Sequence, residues 1–351
     1  MEKGAFTRSE ISSQPTVWKA TLDGILNQQE SLHQQLAGLE QRPFVVTGCG
    51  STYYLALHAA SVLRSVGINA LAFPASELVF FPMQHLPKDF VLLTISRSGT
   101  TTETLWAMNA YRKFMVEKSK IITITCVPET PMIHNSDVVL ISPASQEISV
   151  AQTRSFTSMA IMVQMLAGIL TQDGTRLDRL RVLPEVLETL LKQSGARFEE
   201  LGNNLEIDRI FYLGSGPFYG IASECMLKTK EMTCSWAEVY HVLEFRHGPM
   251  SVVAPSALVV GLISDSAAKD EIRVLREMKA KGARTLAFCE QRGTHDWSGV
   301  DDVIEVRSGL NEWERAVVYL PMIQWFAFYR SLAKGLDPDA PVNLTQVVRL
   351  D

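Results

Sequence analysis

A glycine turn that occurs twice constrains the fold of this 351-residue chain more than any other feature. An apolar run leads into Gly48-Cys49-Gly50, and another leads into Gly214-Ser215-Gly216, 166 positions later. Each turn is followed by two further apolar segments, which predict strands at 90–95 and 120–125 in the first half and at 257–263 and 284–289 in the second. Self-similarity at a nearly constant offset indicates two copies of one structural unit.

Helical segments separate these predicted strands. Apolar residues recur at helical spacing in 54–66 and 102–117, and again in 269–281. Short apolar strands that alternate with helices predict α/β domains with parallel sheets covered on both faces. Such sheets bind ligands in the loops at the carboxyl ends of their strands. We predict the following boundaries: 1–195 for a lead-in helix and the first domain, 196–335 for the second domain, and 336–351 for a carboxyl-terminal tail that closes a site.

Composition and charge exclude several classes of function. Hydrophobic residues make up 46% and charged residues 20% of the chain, which is ordinary for a soluble globular protein. The net charge is −5 and no run of Lys and Arg reaches five residues, so we expect neither a nucleic-acid partner nor a membrane partner. Residues 1–9 lack the apolar core of a signal peptide, and the apolar stretch 160–170 is too short to span a bilayer. We therefore predict a cytoplasmic protein.

The cysteines do not indicate a disulfide framework or a metal site. Their number is odd, they are scattered, and no Cys-x-x-Cys pair occurs. We expect no metal and no cofactor, and we predict free, buried thiols in a reducing compartment at Cys49, Cys126, Cys225, Cys234 and Cys289.

The segment Ser96–Thr104 has the composition of an anion-binding loop. Six of its nine residues carry hydroxyl groups, and it leads into a predicted helix that begins near Thr102. Backbone N–H groups, hydroxyls and a helix N-terminus together suit a phosphate monoester, and Arg97 would add a charge-assisted contact. The Gly-Lys-Ser/Thr of a P-loop is absent, so nucleotide hydrolysis is not indicated. The alternative is a Ser/Thr-rich helix start with no ligand.

Two other segments also suit a polar ligand. The turn at 48–52 is similar to a dinucleotide-binding turn, but Tyr53 stands where the third glycine would be, so a nicotinamide cofactor is not favoured. The segment 146–155 is rich in hydroxyl and amide side chains. It would bind sugar hydroxyls, or simply begin the apolar helix that follows.

One predicted helix, 222–232, carries side chains suited to proton transfer. Glu224, Lys228 and Glu231 fall within about 60° of one helix face. They form either an exposed row of ion pairs or a general base with an ammonium group beside it. A turn follows at His247-Gly248-Pro249, where Pro249 biases Gly248 to extended geometry. His247 is either a general acid or base, or a hydrogen-bonded loop histidine.

As a set, these motifs resemble the tandem sugar isomerase (SIS) domain family. The resemblance is strongest to the isomerase half of glucosamine-6-phosphate synthase and its stand-alone relatives. It implies two SIS domains, each a three-layer, flavodoxin-like α/β/α sandwich with a parallel sheet. It covers nearly the whole chain, through the segments 10–15, 49–52, 96–99, 150–153, 228–231, 237–238, 247–249 and 343–344.

The resemblance also implies roles for individual residues, and a sugar 6-phosphate as the substrate. Glu231 falls on the base that moves a proton between C1 and C2, and Lys228 on a lysine beside the sugar. His247 falls on a ring-opening histidine supplied by the neighbouring subunit, which implies a homodimer. The residues that fall on the phosphate site are Ser96, Arg97, Ser98 and Thr101, and those that line the sugar and phosphate are Gly50, Ser51, Thr52, Val150 and Gln152.

Three positions depart from the family pattern. The family commonly has Gln at the position of Arg97 and often has Ser at that of Gln152. Gln346, which we include among the predicted substrate-binding residues, stands where the synthase has the lysine that forms an imine with the ketose, and the tail contains no other lysine. Glutamine cannot form a Schiff base.

These departures leave several activities open. We expect no glutaminase domain and no release of ammonia from glutamine by this chain alone. Isomerising deamination of an amino sugar 6-phosphate, aldose–ketose isomerisation, and deglycation of a phosphorylated sugar–amine adduct all remain compatible with the motifs. A non-catalytic sugar-phosphate sensor is the alternative of another class, but residues 1–40 show no basic helix-turn-helix.

Overall fold

The computed structural model describes residues 2–81 and 83–346, and within them it contains two parallel sheets of five strands. The first sheet has the order β2-β1-β3-β4-β5 and the second the order β10-β9-β8-β6-β7, with every pairing parallel. The strands are β1 (Phe44–Gly48), β2 (Ala70–Pro74), β3 (Val91–Ser96), β4 (Ile121–Thr125), β5 (Val138–Ile141), β6 (Arg209–Gly214), β7 (Trp236–Tyr240), β8 (Ala257–Leu262), β9 (Arg284–Cys289) and β10 (Asp302–Glu305).

Helices flank both sheets. None of those in the described residues is long and apolar enough to cross a membrane. They are α1 (Ala5–Ser12), α2 (Gln14–Leu26), α3 (Gln29–Leu36), α4 (Ser51–Ser65), α5 (Ala75–Phe80), α6 (Thr102–Met115), α7 (Pro131–His134), α8 (Arg154–Leu170), α9 (Gly174–Leu180), α10 (Leu183–Asn203), α11 (Phe218–Thr233), α12 (Ala268–Ala280), α13 (Glu312–Arg315) and α14 (Leu320–Ala333).

The two sheets confirm the repeat. Counted from the first strand of each half, their strand orders are identical. The two glycine turns also match in detail, since Gly50 has φ 55° and Gly216 has φ 57°. A Cβ atom at Gly48 would lie 2.6 Å from the backbone of Thr52, and one at Gly214 would lie 2.8 Å from the carbonyl oxygen of Phe218. In both turns the first glycine lets the helix approach the strand, and the second permits the left-handed backbone.

The sheets are buried as the apolar runs predict. Every side chain of β1, β3 and β8 is buried, which is the pattern of parallel strands covered on both faces. Helix α8 is buried from Ser155 to Leu170, and it packs against α2 and α4. A helix that is apolar on all sides belongs to a protein core, and here it forms part of the core beside the first sheet.

The chain divides into two compact units whose sequences interleave. The first-sheet unit comprises 13–147, 154–181 and the chain from 345, and the second-sheet unit comprises the chain up to 12, 148–153 and 182–344. The predicted boundaries at 195 and 335 divide the chain into segments that are each continuous in sequence, so they do not include this interleaving.

Carboxylates attach the distant segments to the second-sheet unit. Asp339 accepts hydrogen bonds from the N–H groups of Phe6 (3.1 Å) and Thr7 (2.7 Å), and thus caps the first turn of α1. Glu10 accepts the N–H groups of Ile148 (2.6 Å) and Ser149 (3.2 Å). These side chains satisfy backbone donors that have no partner in a sheet or helix. Glu10 thereby attaches 148–153 to α1, and Asp339 attaches the chain near residue 339 to the start of the same helix.

The five cysteines are free thiols, but they differ in exposure. Cys126, Cys225 and Cys289 are buried and Cys49 is half-buried, whereas Cys234 is exposed after α11. Burial raises the pKa of the Cys126 thiol to about 12 and that of Cys289 to about 12. The expectation of buried thiols is therefore wrong for Cys234.

The loop after β3 depends on the absence of a side chain at Gly99. This glycine has φ 64°, and a Cβ atom there would lie 2.7 Å from the Cβ of Thr130 and closer still to its hydroxyl. Gly50 in the same unit has φ 55° with open space around it. Both positions therefore require a positive φ, but only Gly99 is packed against another side chain.

We predict that Gly99→Ala destabilises the protein by about 2 kcal/mol more than Gly50→Ala. Both variants place a side chain on a backbone of positive φ, which costs about 1–3 kcal/mol, and only Gly99→Ala adds the clash with Thr130. Urea unfolding of the ligand-free proteins, followed by circular dichroism, measures the difference. Equal midpoints for the two variants would contradict the packing shown here.

Candidate active site

The loop after β3 presents hydroxyl groups at the carboxyl edge of the first sheet. The Ser96 hydroxyl accepts the N–H of Gly99 at 3.2 Å and lies 3.1 Å from the hydroxyl of Thr101. The Ser98 hydroxyl accepts the N–H of Thr100 at 3.3 Å. Helix α6 begins directly after this loop, so its first-turn N–H groups point the same way. This arrangement has the donors and the helix dipole that an anion requires.

A second polar turn lies at the same edge. Strands β1 and β3 are parallel neighbours, with Thr47 aligned to Thr94, so their carboxyl ends and the turns after them are adjacent. The turn after β1 contains Gly50, Ser51 and Thr52. Thr52 holds it closed, because its hydroxyl accepts the Cys49 N–H at 2.9 Å. The structure thus brings together, in the first-sheet unit, the residues predicted to line phosphate and part of the sugar.

Arg97 does not extend freely from its loop. Its side chain is only 8% exposed. Its Nη1 lies 3.5 Å from the Glu147 carboxylate, whose side chain is buried, and its Nη2 donates to the carbonyl oxygen of Gln346 at 2.9 Å. The Ser155 hydroxyl also donates to Glu147. Direct contact between Arg97 and a phosphate stays a prediction, and what is observed is an ion pair between Arg97 and Glu147, which follows β5.

Gln346 lies in the same cluster, at the position where the resemblance places a catalytic lysine. Its side-chain Nε2 donates to the carbonyl oxygen of Glu147 at 3.1 Å, while its backbone carbonyl oxygen accepts from Arg97. The side chain therefore anchors the end of the described chain to the first-sheet unit.

In the second-sheet unit, α11 carries a buried charge triad. Lys228 donates to Glu231, and its Nζ lies 3.4 Å from the carboxylate of Glu224. Glu224 and Lys228 are buried, whereas the Glu231 side chain is 19% exposed. An exposed row of ion pairs is therefore excluded. The carboxylate that reaches solvent is Glu231, which is the one predicted to be the base.

The segment 148–153 belongs to this unit and adds Val150 and Gln152. The Val150 N–H donates to the carbonyl oxygen of Asp339 at 3.4 Å, and Ala151 packs in a hydrophobic cluster with Met232 at the end of α11. Within the described residues, the side-chain oxygen of Gln152 is buried and accepts no hydrogen bond. Gln152 thus presents a buried acceptor on the segment that packs beside α11.

His247 is exposed at the end of a 3-10 turn formed by Glu244–Arg246. Its N–H donates to the carbonyl oxygen of Glu244 at 3.0 Å. Gly248 adopts φ 127° and ψ −52°. The expected extended geometry is therefore wrong, because a glycine has no Cβ to restrict it before proline. The structure places His247 on the second-sheet unit, and its role stays a prediction.

Two features of the second-sheet unit escaped the sequence interpretation. The rings of Tyr219 and His241 stack at 3.8 Å beside the second glycine turn, and burial lowers the pKa of His241. Glu312 accepts three hydrogen bonds from the loop after β8. The internal repeat could have predicted the loop after β8, since Ile263-Ser264-Asp265-Ser266 matches Ile95-Ser96-Arg97-Ser98 after β3.

Known proteins are similar to this chain in sequence and in architecture. The SIS domain model matches residues 39–168 and again residues 205–296. The chain is 30% identical over 349 residues to a glutamine–fructose-6-phosphate aminotransferase (isomerizing) of Sulfurisphaera tokodaii. That match covers 99% of this chain and 56% of the relative, so the chain spans little more than half of that protein.

Two solved structures are similar over nearly their whole length. The tagatose-6-phosphate ketose/aldose isomerase of Escherichia coli is 27% identical with a TM-score of 0.86, covering 96% of this chain and 95% of that one. The glucosamine-6-phosphate deaminase of Thermotoga maritima is 25% identical with a TM-score of 0.78, covering 99% and 100%. With a family model that matches both halves and two sheets of one strand order, the chain belongs to the SIS domain family.

Proposed function

We propose that the protein is a phosphosugar enzyme that converts glucosamine 6-phosphate to fructose 6-phosphate and ammonia by C1–C2 proton transfer. The observation that carries the proposal is the triad on α11, where a partly exposed carboxylate, Glu231, lies against the buried ammonium of Lys228. The similarity to the Thermotoga maritima deaminase supports the choice of reaction.

The proposed reaction balances without an enzyme-bound nitrogen. Glu231 takes the proton from C2 of the open-chain amino sugar and returns it to C1, which converts the amine into a ketimine. Water then adds to C2 and ammonia leaves, so that the substrate and one water give the ketose phosphate and ammonia. Lys228 donates a proton to the oxygen at C1 and regains one from the amine nitrogen as the C2=N bond forms, and His247 opens the ring.

The loop residues bind the phosphate in this proposal. The hydroxyls of Ser96, Ser98 and Thr101, with the N-terminus of α6, supply the donors. Ser51 and Thr52 lie at the same sheet edge, and Val150 and Gln152 contribute to the sugar. No described residue group of His, Cys, Asp and Glu is arranged to hold a metal ion, and the proposed proton transfers run entirely through side chains.

We expect Glu231→Gln to lower kcat for ammonia release by about 10²–10⁴, because the amide cannot accept the C2 proton. The variant should fold, since Glu224 still faces the buried Lys228 ammonium. Coupled assays of ammonia and fructose 6-phosphate measure the change, and exposed Glu199→Gln on α10 is the matched control. Full activity in Glu231→Gln would overturn the assignment of the base.

A second candidate is aldose–ketose isomerisation, which the similarity to the Escherichia coli isomerase favours. Both reactions use the same proton transfer, so substrate tests decide between them. Wild-type protein that releases no ammonia from glucosamine 6-phosphate, but exchanges solvent deuterium into a ketose 6-phosphate, would establish the isomerase.

We also propose a homodimer in which His247 acts in the partner's site. The exposure of His247 supports this, as do the exposed apolar side chains on either side of it, Leu243 and Val252. Trp236 on the edge strand β7 is also 67% exposed. Exposed apolar side chains grouped around one loop are typical of an interface.

Mixing the inactive variants Glu231→Gln and His247→Ala should restore about one quarter of wild-type activity. Half of randomly reassembled dimers are hybrids, and each hybrid has one site with both residues intact. Activity of the mixture after unfolding and refolding together, against each variant refolded alone, is the measurement. No recovery, with dimers present by light scattering, would show that His247 acts within its own chain.

A further inference from the structure

A cavity of about 510 Å³ lies along β7, the edge strand of the second sheet. A volume of this size suits a small molecule. Among the described residues, neither Glu231 nor Lys228 nor His247 lines this space, which is named the β7 cavity. Its lining includes two carboxylates, one guanidinium and three aromatic rings, from Asp208, Glu238, Arg209, Phe211, Trp236 and Tyr240.

The alternation of β7 places three of these side chains on one face of the strand. Trp236, Glu238 and Tyr240 occupy every second position, whereas Ala237 between the first two is buried. The ring of Tyr240 packs on that of Phe245, with the ring centres 5.4 Å apart. The strand therefore presents a carboxylate between two aromatic side chains, and one of these is supported by the core of the unit.

The two carboxylates of the β7 cavity differ in their partners. Asp208 is neutralised by Arg209, whose Nε and Nη2 donate to its two oxygens at 2.8 Å and 3.3 Å. Glu238 forms no ion pair with any residue in 2–81 or 83–346. Its Oε2 accepts the hydroxyl of Tyr240 at 2.8 Å, which leaves Oε1 without a donor from the described chain.

The hydroxyl of Tyr240 does not remove the charge of Glu238. Burial and the hydrogen bond to Glu238 raise the pKa of Tyr240 to about 12, so the phenol keeps its proton at neutral pH. A neutral donor satisfies one lone pair of a carboxylate and leaves its negative charge in place. The β7 cavity thus contains one negative charge that no cation of the described chain balances.

A carboxylate beside aromatic faces selects an organic cation. A cation is attracted to the face of a Trp or Tyr ring, and a carboxylate accepts charge-assisted hydrogen bonds from an ammonium group. A neutral sugar would leave the charge of Glu238 unbalanced. A metal ion would need further ligands, and within the part of the chain that the structure describes no group of three His, Cys, Asp or Glu side chains is placed to hold one.

We propose that the β7 cavity is a binding site for a small organic ammonium ion, in which Glu238 accepts the N–H groups and Trp236 lies against the cation. The site is independent of the proposed function, because it uses none of the residues assigned to the reaction. It also gives a role to Glu238, which belongs to the motif segment 237–238 but takes no part in the proposed proton transfers.

The experiment is a ligand-observed NMR titration of the full chain with n-butylammonium chloride and with n-butanol, which has nearly the same shape but no charge. We expect the ammonium ion to bind about tenfold more tightly than the alcohol, the scale of one hydrogen bond to a charged group. The preference should decrease as NaCl is added, since salt screens a partly exposed carboxylate.

Two variants assign the binding to the β7 cavity. Glu238→Gln still accepts the Tyr240 hydroxyl but has no charge, so it should weaken butylammonium binding about tenfold and leave butanol binding unchanged. Trp236→Ala should weaken it about threefold, the scale of a cation–π contact at an exposed site. Glu206→Gln is the matched control, because Glu206 is an exposed carboxylate of the same unit that does not line the cavity. Since Trp236 is exposed, its variant covers the case in which Glu238→Gln does not fold.

Each other outcome would overturn the proposal. Equal binding of the two probes, unchanged in Glu238→Gln, would show an apolar groove. Glucose that binds where butylammonium does not would show a sugar site. Butylammonium binding that is lost in Glu231→Gln and kept in Glu238→Gln would place the amine at the proposed active site. Wild-type protein that does not bind butylammonium, as when a partner chain covers Trp236, would also overturn it. None of these results alters the ammonia-release assays that test the proposed function.

Discussion

The hydrogen-bond donors left at the carboxyl edges of two buried parallel sheets are the constraint on which this structure depends. Strands covered on both faces expose little except the loops at their ends, and the N–H groups of those loops need acceptors. Buried glutamates supply several of them. Glu271 accepts the N–H of Ser264 at 2.7 Å, Glu312 accepts those of the next two residues, and Glu10 accepts those of Ile148 and Ser149. A loop whose donors are not met in this way has room for an external anion.

The triad on α11 is difficult to explain as a stabilising feature. Burial of an ammonium and a carboxylate removes both from water, and replacement of such groups by apolar side chains is often neutral or favourable. Other buried residues of the same helix, such as Met226 and Met232, are apolar, as is usual in a protein core. Local departures from the rules of a packed core are expected at functional sites, and this one leaves a single carboxylate, Glu231, partly open to solvent.

Much of this architecture is predictable because its signals are local. Repeated glycine turns, apolar strands and helical periodicity depend on residues within about 20 positions of each other, and the structure confirms the six strands that they predict. The position of Ser96–Thr101 at a sheet edge follows in the same way. The interleaving of the two units does not, because it depends on single carboxylates: Asp339 caps α1 and Glu10 holds Ile148, across more than a hundred residues. The burial of Glu224 and Lys228 could not be predicted either, because the spacing i, i+4 and i+7 fits an exposed row of ion pairs and a buried triad equally well.

The cluster around Glu147 bears on how nitrogen chemistry is possible without a lysine in the tail. The Gln346 side chain donates to the Glu147 carbonyl oxygen, and the backbone carbonyl of Gln346 accepts from Arg97. The side-chain amide makes a structural contact through its Nε2, and glutamine has no nucleophilic amine in any case. An imine between enzyme and sugar at this position is therefore excluded, because the side chain has no amine. A substrate that already carries nitrogen at C2 needs no such imine, since proton transfer alone converts its amine to a hydrolysable ketimine. Glutamine at the position where the resemblance implies a lysine is thus consistent with the proposed function, which removes nitrogen, and with isomerisation, which involves none.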